Sequence, residues 1–290
     1  MLLLHEWPLV LFTLLLQSAV GIVLVGECLL RRAEDERLVT CLRRQSCAAF
    51  ILFAVGGLLS LLHTGSPLNS FHTLSNIGSS WLSREIAVLS FTGLVLLWLA
   101  FMRRKERPQT AEKTVARIAI VAGLILVAIM SRVYRLAVVP AWNSHAGLLA
   151  FFASVLLCGA LWHGFMLNRL CQGGISFSGL PQERSAARLL FAAAFLGFLL
   201  AAASLPLSVS VQEAGLNMRT ALIPFSCLAW SLTLRIALTG TAVLLFCIAL
   251  LREDCKRFPV GMAGMALLLL AVGEFFGRAL FYLSYVRVGM

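Results

Sequence analysis

An all-α, polytopic transmembrane bundle of eight helices is the fold that this sequence predicts. Three observations predict it. Hydrophobic residues make up 60% and charged residues 13% of the 290, with a mean hydropathy of +0.91, a balance that water-soluble domains of this size do not have. The apolar residues fall in runs of roughly 20, the length a helix needs to cross a hydrocarbon core about 30 Å thick. Those runs are continuous rather than alternating every second residue, which selects helices over a β-barrel as the way to satisfy the backbone in lipid. No soluble domain, low-complexity tail or long linker interrupts the pattern, so residues 1–290 read as a single transmembrane domain.

The first span runs from about Pro8 to Leu30, after His5, Glu6 and Trp7. It lacks a basic leader, is too long for a cleaved signal and is followed by Arg31 and Arg32 like a stop, so it reads as a retained helix. The second runs from about Ser46 to His63, where Gly65 and Pro67 end it: glycine suits a left-handed cap and proline cannot continue the ladder. Span three covers Arg84 to Met102, span four Val115 to Leu136, span five Ala146 to Leu167 and span six Ala186 to Leu207. Span seven covers Leu232 to Leu251 and span eight Pro259 to Leu283. Short loops make neighbouring spans antiparallel partners. The stretch from Ser208 to Ser231, with Gln212, Glu213, Arg219 and Trp230, reads as the largest outer loop, either a lid or docking surface or a plain amphipathic connector. No internal repeat is evident between the halves.

Charge sets the orientation. All but seven of the 24 Lys and Arg lie in the loops after spans one, three, five and seven and on their flanks; the exceptions are Arg84, Arg132, Arg135, Arg219, Arg235, Arg278 and Arg287. The positive-inside rule then places both termini on the outer face, periplasmic in a bacterium. The net charge of +11 follows from this placement and from contact with anionic lipid headgroups, so no nucleic acid is expected as a partner.

Ionisable residues near or inside the membrane are functional candidates by default. His63 ends span two and Glu85 opens span three, so an imidazole and a carboxylate meet at the outer face. A helix C-terminus favours an imidazole for its dipole alone, yet a side chain with a pKa of about 6.5 is also a good proton acceptor. Glu85 likewise suits the first turn of a helix that Ser83 can cap; its facing His63 is what raises it. In span eight Glu274 and Arg278 stand one turn apart. They read either as an ion pair neutralised on its own helix or as a polar wall facing the bundle, since each charge in lipid costs about 2.5–3.5 kcal/mol. Gly273 and Gly277 give a GxxxG face suited to close packing. Arg132 and Arg135 flank Tyr134 at the outer end of span four, placed either to snorkel or to meet an acidic partner or a lipid headgroup.

The eight cysteines show neither a CxxC pair nor ferredoxin spacing, so no iron–sulfur cluster is expected in this chain. A b-type haem needs two facing axial ligands at one depth. His163 lies near the inner end of span five, opposite His63, while His5, His72 and His145 fall outside the spans, so no haem is expected either.

The ordered set His5-Glu6-Trp7-Pro8-Leu9, Leu62-His63-x-Gly65-Ser66-Pro67, Glu85-Ile86, Arg132-Val133-Tyr134 with Pro140 and Trp142, and Gly273-Glu274-x-x-Gly277-Arg278-x-x-Phe281-Tyr282 resembles the membrane anchor subunits of bacterial dimethyl sulfoxide reductases. The resemblance is thin between about 150 and 260. It implies an eight-helix anchor without haem in the bacterial inner membrane, holding a molybdopterin catalytic subunit and a four-cluster iron–sulfur subunit. It also implies menaquinol oxidation with electrons passed to the iron–sulfur subunit, in anaerobic respiration on dimethyl sulfoxide or another S- or N-oxide. The family's quinol-site histidine falls on His63 and its nearby acid on Glu85; Glu274, Arg278 and Arg132 are expected to line the same pocket. Two alternatives stand beside this reading: a small-solute or ion transporter, against which the charges sit toward one face rather than at the midplane, and a purely structural anchor with no quinol site.

Overall fold

The computed structural model describes residues 2–63, 74–104, 110–172, 181–217, 225–251 and 260–284. Eight long helices carry them: α1 (Leu2–Leu30), α2 (Glu36–His63), α3 (Trp81–Arg103), α4 (Thr110–Val133), α5 (Ala146–Gln172), α6 (Pro181–Asn217), α7 (Phe225–Leu251) and α8 (Val260–Leu283). Short 3-10 turns cover Leu74–Asn76 and Pro140–Trp142. All eight helices are long and apolar enough to cross a membrane, and no strand occurs among the described residues.

Most helices start or end a few residues beyond the expected spans, and two boundaries differ by about ten. Helix α2 starts at Glu36, well before Ser46, because its polar first turns are helical too; the Asp35 carboxylate accepts from the Leu38 N–H at 2.9 Å. Helix α6 runs on through Pro206 to Asn217, so much of the expected outer loop is helix. Its serines turn back on their own backbone, Ser204 donating to the Ala201 carbonyl at 2.7 Å and Ser208 to the Ser204 carbonyl at 2.8 Å. A hydroxyl satisfied this way lets a polar stretch stay helical. Residues 218–224 of that loop, Arg219 among them, lie outside the described residues.

The architecture repeats although the sequence shows no repeat. In each half the first helix packs on the second and the fourth, the second on the third, and the third on the fourth. Helices α1 and α5 are the shared axis. They touch each other and helices of both halves, and 72% and 61% of their spans are buried against at most 44% elsewhere. They meet at Gly21 and Gly159, where a Cβ on either would collide with the backbone of the other. Small residues allow such close approach in a bilayer, where hydrophobicity does not drive helices together. Around the axis lie two apolar cores, one including Leu16, Leu126, Met130 and Phe151, the other Leu157, Leu161, Leu190 and Phe246.

The expected GxxxG face on α8 does pack closely. A Cβ at Gly273 would sit 3.1 Å from the Thr239 hydroxyl, and one at Gly277 would strike the Arg235 guanidinium. The glycines thereby make room for an arginine on α7.

Candidate functional site

At one end of the bundle, hereafter the Trp142 end, aromatic side chains from four segments converge. Tyr134 follows α4, Trp142 closes a 3-10 turn, Phe151 lies on α5, and Phe281 and Tyr282 are on the last turn of α8. Trp142 stacks on Phe281 with centroids 5.0 Å apart, and its indole N–H donates to the Phe281 carbonyl at 2.7 Å. Tyr134 meets Phe281 and Tyr282 edge-on at 5.6 and 5.4 Å. Such edge-to-face pairs fix ring orientation as well as adding about 0.5–1.5 kcal/mol each.

Glu85 enters this region from α3. Ser80 caps that helix, accepting from the Ser83 N–H at 3.3 Å, which sets the first turn so that Glu85 points inward. The carboxyl group is buried and its Oε1 has no hydrogen-bond partner among the described residues. It lies within electrostatic reach of the phenols of Tyr134 and Tyr282. The Tyr282 hydroxyl is another buried polar atom without a partner of good geometry among the described residues.

One turn deeper, α8 supplies Arg278 and then Glu274. Arg278 donates to the Gln17 side-chain oxygen at 2.7 Å and to the Ser154 hydroxyl at 2.8 Å, and its guanidinium carbon lies 3.9 Å from the Phe151 ring centroid. Ser154 donates to Glu274 Oε2 at 2.5 Å. Glu274 pairs not with Arg278 on its own helix but with Arg235 on α7, at 3.5 Å. Of the two readings of this pair, the self-contained one-helix ion pair gives way to an inter-helix network: Arg278 and Glu274 face the bundle and are joined through a serine of the axial helix α5. Gln17 Nε2, Arg278 Nε and Arg235 Nε remain buried without partners among the described residues.

Arg278 and Glu274 are thus joined through Ser154, and Tyr134 and Tyr282 lie within electrostatic reach of both Arg278 and Glu85. His63 is the last residue of α2, but its side chain, and the loop 64–73 that leads toward α3, lie outside the described residues. Arg132 stands apart. It is exposed, donates to the Arg135 carbonyl at 3.1 Å and sits over the Trp81 ring. Sequence reasoning passed over Gln17, Ser154 and Arg235 as site residues. The signal was present for two of them: a lone glutamine and a lone arginine inside apolar spans are expensive in lipid and should face a partner.

A second buried cluster occupies the opposite, Glu27 end. Arg103 bonds to Glu27 and, at 3.0 Å, to Glu112, whose other oxygen accepts from Arg43 at 2.9 Å. The network ties α1, α2, α3 and α4 together with two carboxylates and two guanidiniums. Nearby, His163 donates from Nε2 to the Ile22 carbonyl at 2.8 Å. No grouping of side chains able to hold a metal ion occurs among the described residues.

Comparison with known proteins gives a consistent result. The family model described as DMSO reductase anchor subunit (DmsC) matches residues 1–283. The YnfH subunit of an anaerobic dimethyl sulfoxide reductase of Escherichia coli is 33% identical over 291 residues, an alignment that spans 99% of the present sequence and 97% of that subunit. The C subunit of anaerobic dimethyl sulfoxide reductase from the same organism is 31% identical over 297 residues, with the same coverage. The corresponding C subunit of Haemophilus influenzae is 29% identical over 290 residues, again across 99% of the present sequence and 97% of its own length.

Proposed function

Because this chain belongs to the DMSO reductase anchor subunit family and anchors a molybdoenzyme complex in the bacterial inner membrane, we propose that it oxidises menaquinol beside Glu85 and hands the electrons to an iron–sulfur subunit at the Trp142 end. The family assignment also sets aside the transporter reading. Helix α1 starts and helix α8 ends at the Trp142 end, and the distribution of Lys and Arg supports reading that end as the periplasmic face.

The observation that carries the proposal is the buried carboxyl group of Glu85, whose Oε1 has no hydrogen-bond partner among the described residues and which lies within electrostatic reach of the phenols of Tyr134 and Tyr282. Leaving a buried polar atom unpaired costs about 1–3 kcal/mol; a quinol hydroxyl would satisfy it. Quinol oxidation releases two electrons and two protons. The redox chemistry belongs to the quinol, and the protein binds the ring, places it and receives the protons. Glu85 accepts a proton from one hydroxyl, and His63, at the end of α2, from the other. Arg278 and Glu274 hold the polar wall below, fixed by Gln17, Ser154 and Arg235. The isoprenoid tail lies between apolar helices. The electrons continue to the iron–sulfur subunit and from there to the molybdopterin catalytic subunit.

Glu85→Gln tests this with little change in shape. In membranes carrying the assembled complex, quinol-linked reduction falls by about 10²-fold or more, the usual worth of a positioned proton acceptor. Reduction driven by a soluble dye that feeds the catalytic subunit directly is unchanged. Full quinol-linked activity in this variant would leave the chain a structural anchor.

A further inference from the structure

A surface patch outside the quinol site has a composition that the anchor role does not use. On the face of the bundle otherwise poor in basic residues, two guanidiniums converge on one indole: Arg84 lies 4.5 Å and Arg132 5.1 Å from the Trp81 ring centroid. Arg84 is held in place from behind, donating from Nε to the Ile77 carbonyl at 2.9 Å and from Nη2 to the Gly78 carbonyl at 2.6 Å. Arg132 is fixed by its bond to the Arg135 carbonyl at 3.1 Å. Arg135 adds a third positive charge beside His145, at 3.5 Å from that ring. No carboxylate among the described residues pairs with any of these arginines. Each bond named is to a neutral group, so among the described residues nothing compensates the charge of the patch, and the other N–H groups of both guanidiniums are available to an anion.

What lies beneath the patch identifies the anion. Seven and fourteen residues along α3 from Arg84, on the same stripe of the helix, are Phe91 and Trp98, 52% and 57% exposed. At the same intervals back along α4 from Arg132 are Ile125 and Ile118, 47% and 42% exposed. Helices α3 and α4 are packed neighbours that run in opposite directions. The two stripes therefore descend side by side from the shared indole, their apolar residues about 10 and 20 Å below it at 1.5 Å per residue. That is headgroup depth for the cations and acyl-chain depth for the apolar strip. Trp81, 38% exposed, is the residue type that marks the boundary between the two zones. A soluble partner would account for the cations but not for the strip.

We propose that Arg84 and Arg132, converging on Trp81, bind the phosphate of an anionic phospholipid whose acyl chains lie along the exposed faces of α3 and α4. Guanidinium forks match phosphate oxygens in geometry and charge. Two guanidiniums on one phosphate, with the charge of Arg135 nearby, select a headgroup of net negative charge, such as phosphatidylglycerol, over one that carries an ammonium group. The lipid would sit on the outer surface of α3, the helix whose inward face presents Glu85.

The test uses the complete complex, purified in mild detergent and analysed by native mass spectrometry. The unmodified complex retains one phosphatidylglycerol per anchor subunit under conditions that strip phosphatidylcholine. The double variant Arg84→Gln, Arg132→Gln loses that retention by about tenfold or more, with its subunits still present in full. Arg31→Gln, Arg32→Gln at the opposite end changes nothing. Equal retention in the Arg84/Arg132 variant overturns the proposal. So does a variant that keeps its lipid but sheds the soluble subunits, since the patch would then be a protein interface. Should the double variant fail to accumulate, the unmodified complex decides. In nanodiscs its Tm rises as phosphatidylglycerol replaces phosphatidylcholine and does not rise with inorganic phosphate; a Tm indifferent to phosphatidylglycerol, or matched by inorganic phosphate, rejects the site.

Discussion

The bundle buries two ionic clusters, one at each end, and they are built on opposite principles. At the Glu27 end two carboxylates and two guanidiniums close on one another: both oxygens of Glu112 are taken by arginines, and Arg103 spans Glu27 and Glu112. At the Trp142 end the charged groups are joined mostly through neutral ones, by way of Ser154 and Gln17, and Glu85 Oε1, Gln17 Nε2 and Arg278 Nε are left over. A network in lipid whose carboxylates are all met by guanidiniums holds helices in register. An open one keeps hydrogen-bonding capacity unspent at a cost in stability, which is what a site for a polar headgroup requires. Stability and activity should therefore respond oppositely to substitution at the two ends.

The sharpest break comes at the closed end. Arg103→Met leaves Glu27 and Glu112 buried with Arg43 as their one remaining counter-ion among the described residues. Removing one partner of a buried ionic pair costs about 3–5 kcal/mol, so the variant accumulates poorly and unfolds in the detergent titration well before the wild type. The fraction that does assemble oxidises quinol normally. A selective loss of quinol-linked turnover in that fraction would erase the distinction between the two ends.

Arg278→Met is expected to be milder in stability and far harsher in function. It strands no carboxylate, because Glu274 keeps Arg235 and Ser154. The cost is the unpaired Gln17 oxygen, about 1–3 kcal/mol. Quinol-linked reduction falls more than about tenfold, read as a rise in quinol KM, because the polar wall of the pocket is gone. Glu85→Gln goes further in the same direction. A neutral amide is cheaper to bury than a carboxylate without partners, so the resistance of this variant to unfolding equals or exceeds that of the wild type even as quinol oxidation collapses. A clear loss of stability would mean that Glu85 is a structural residue with partners beyond those described.

How much of this the sequence carried depends on the range of the interaction. The eight spans were legible because each is a local property, a run of apolar residues as long as the hydrocarbon is thick. The candidates Glu85, Glu274 and Arg278 were legible because a charge in lipid is conspicuous by itself. What the sequence could not give was partnership. Glu274 and Arg278, one turn apart, looked like each other's counter-ion, yet Arg235 on α7 and Ser154 on α5 intervene, and helix-to-helix geometry has no local signature. The contact pattern shared by the two halves was hidden for the same reason, since it resides in packing between helices rather than in any local run of residues. The end of α6 was misplaced because serines, which mark loops in water, bond to their own helix here.

The smallest effect belongs to Trp142, and its smallness is informative. Its indole donates to the Phe281 carbonyl, one of the last four of α8, which have no intrahelical donor. That carbonyl also accepts from the Ser284 hydroxyl at 2.7 Å. Trp142→Phe keeps a ring to stack on Phe281 and removes a donor without stranding the acceptor, so it costs only about 0.5–1 kcal/mol. If the Trp142 end is held open by its aromatic packing, the variant keeps its quinol KM within about twofold, a shift of under 0.5 kcal/mol. If the one hydrogen bond positions Tyr282, KM rises while the unfolding midpoint barely moves. The two measurements together separate a ring that packs from a ring that aims the neighbouring phenol at the substrate.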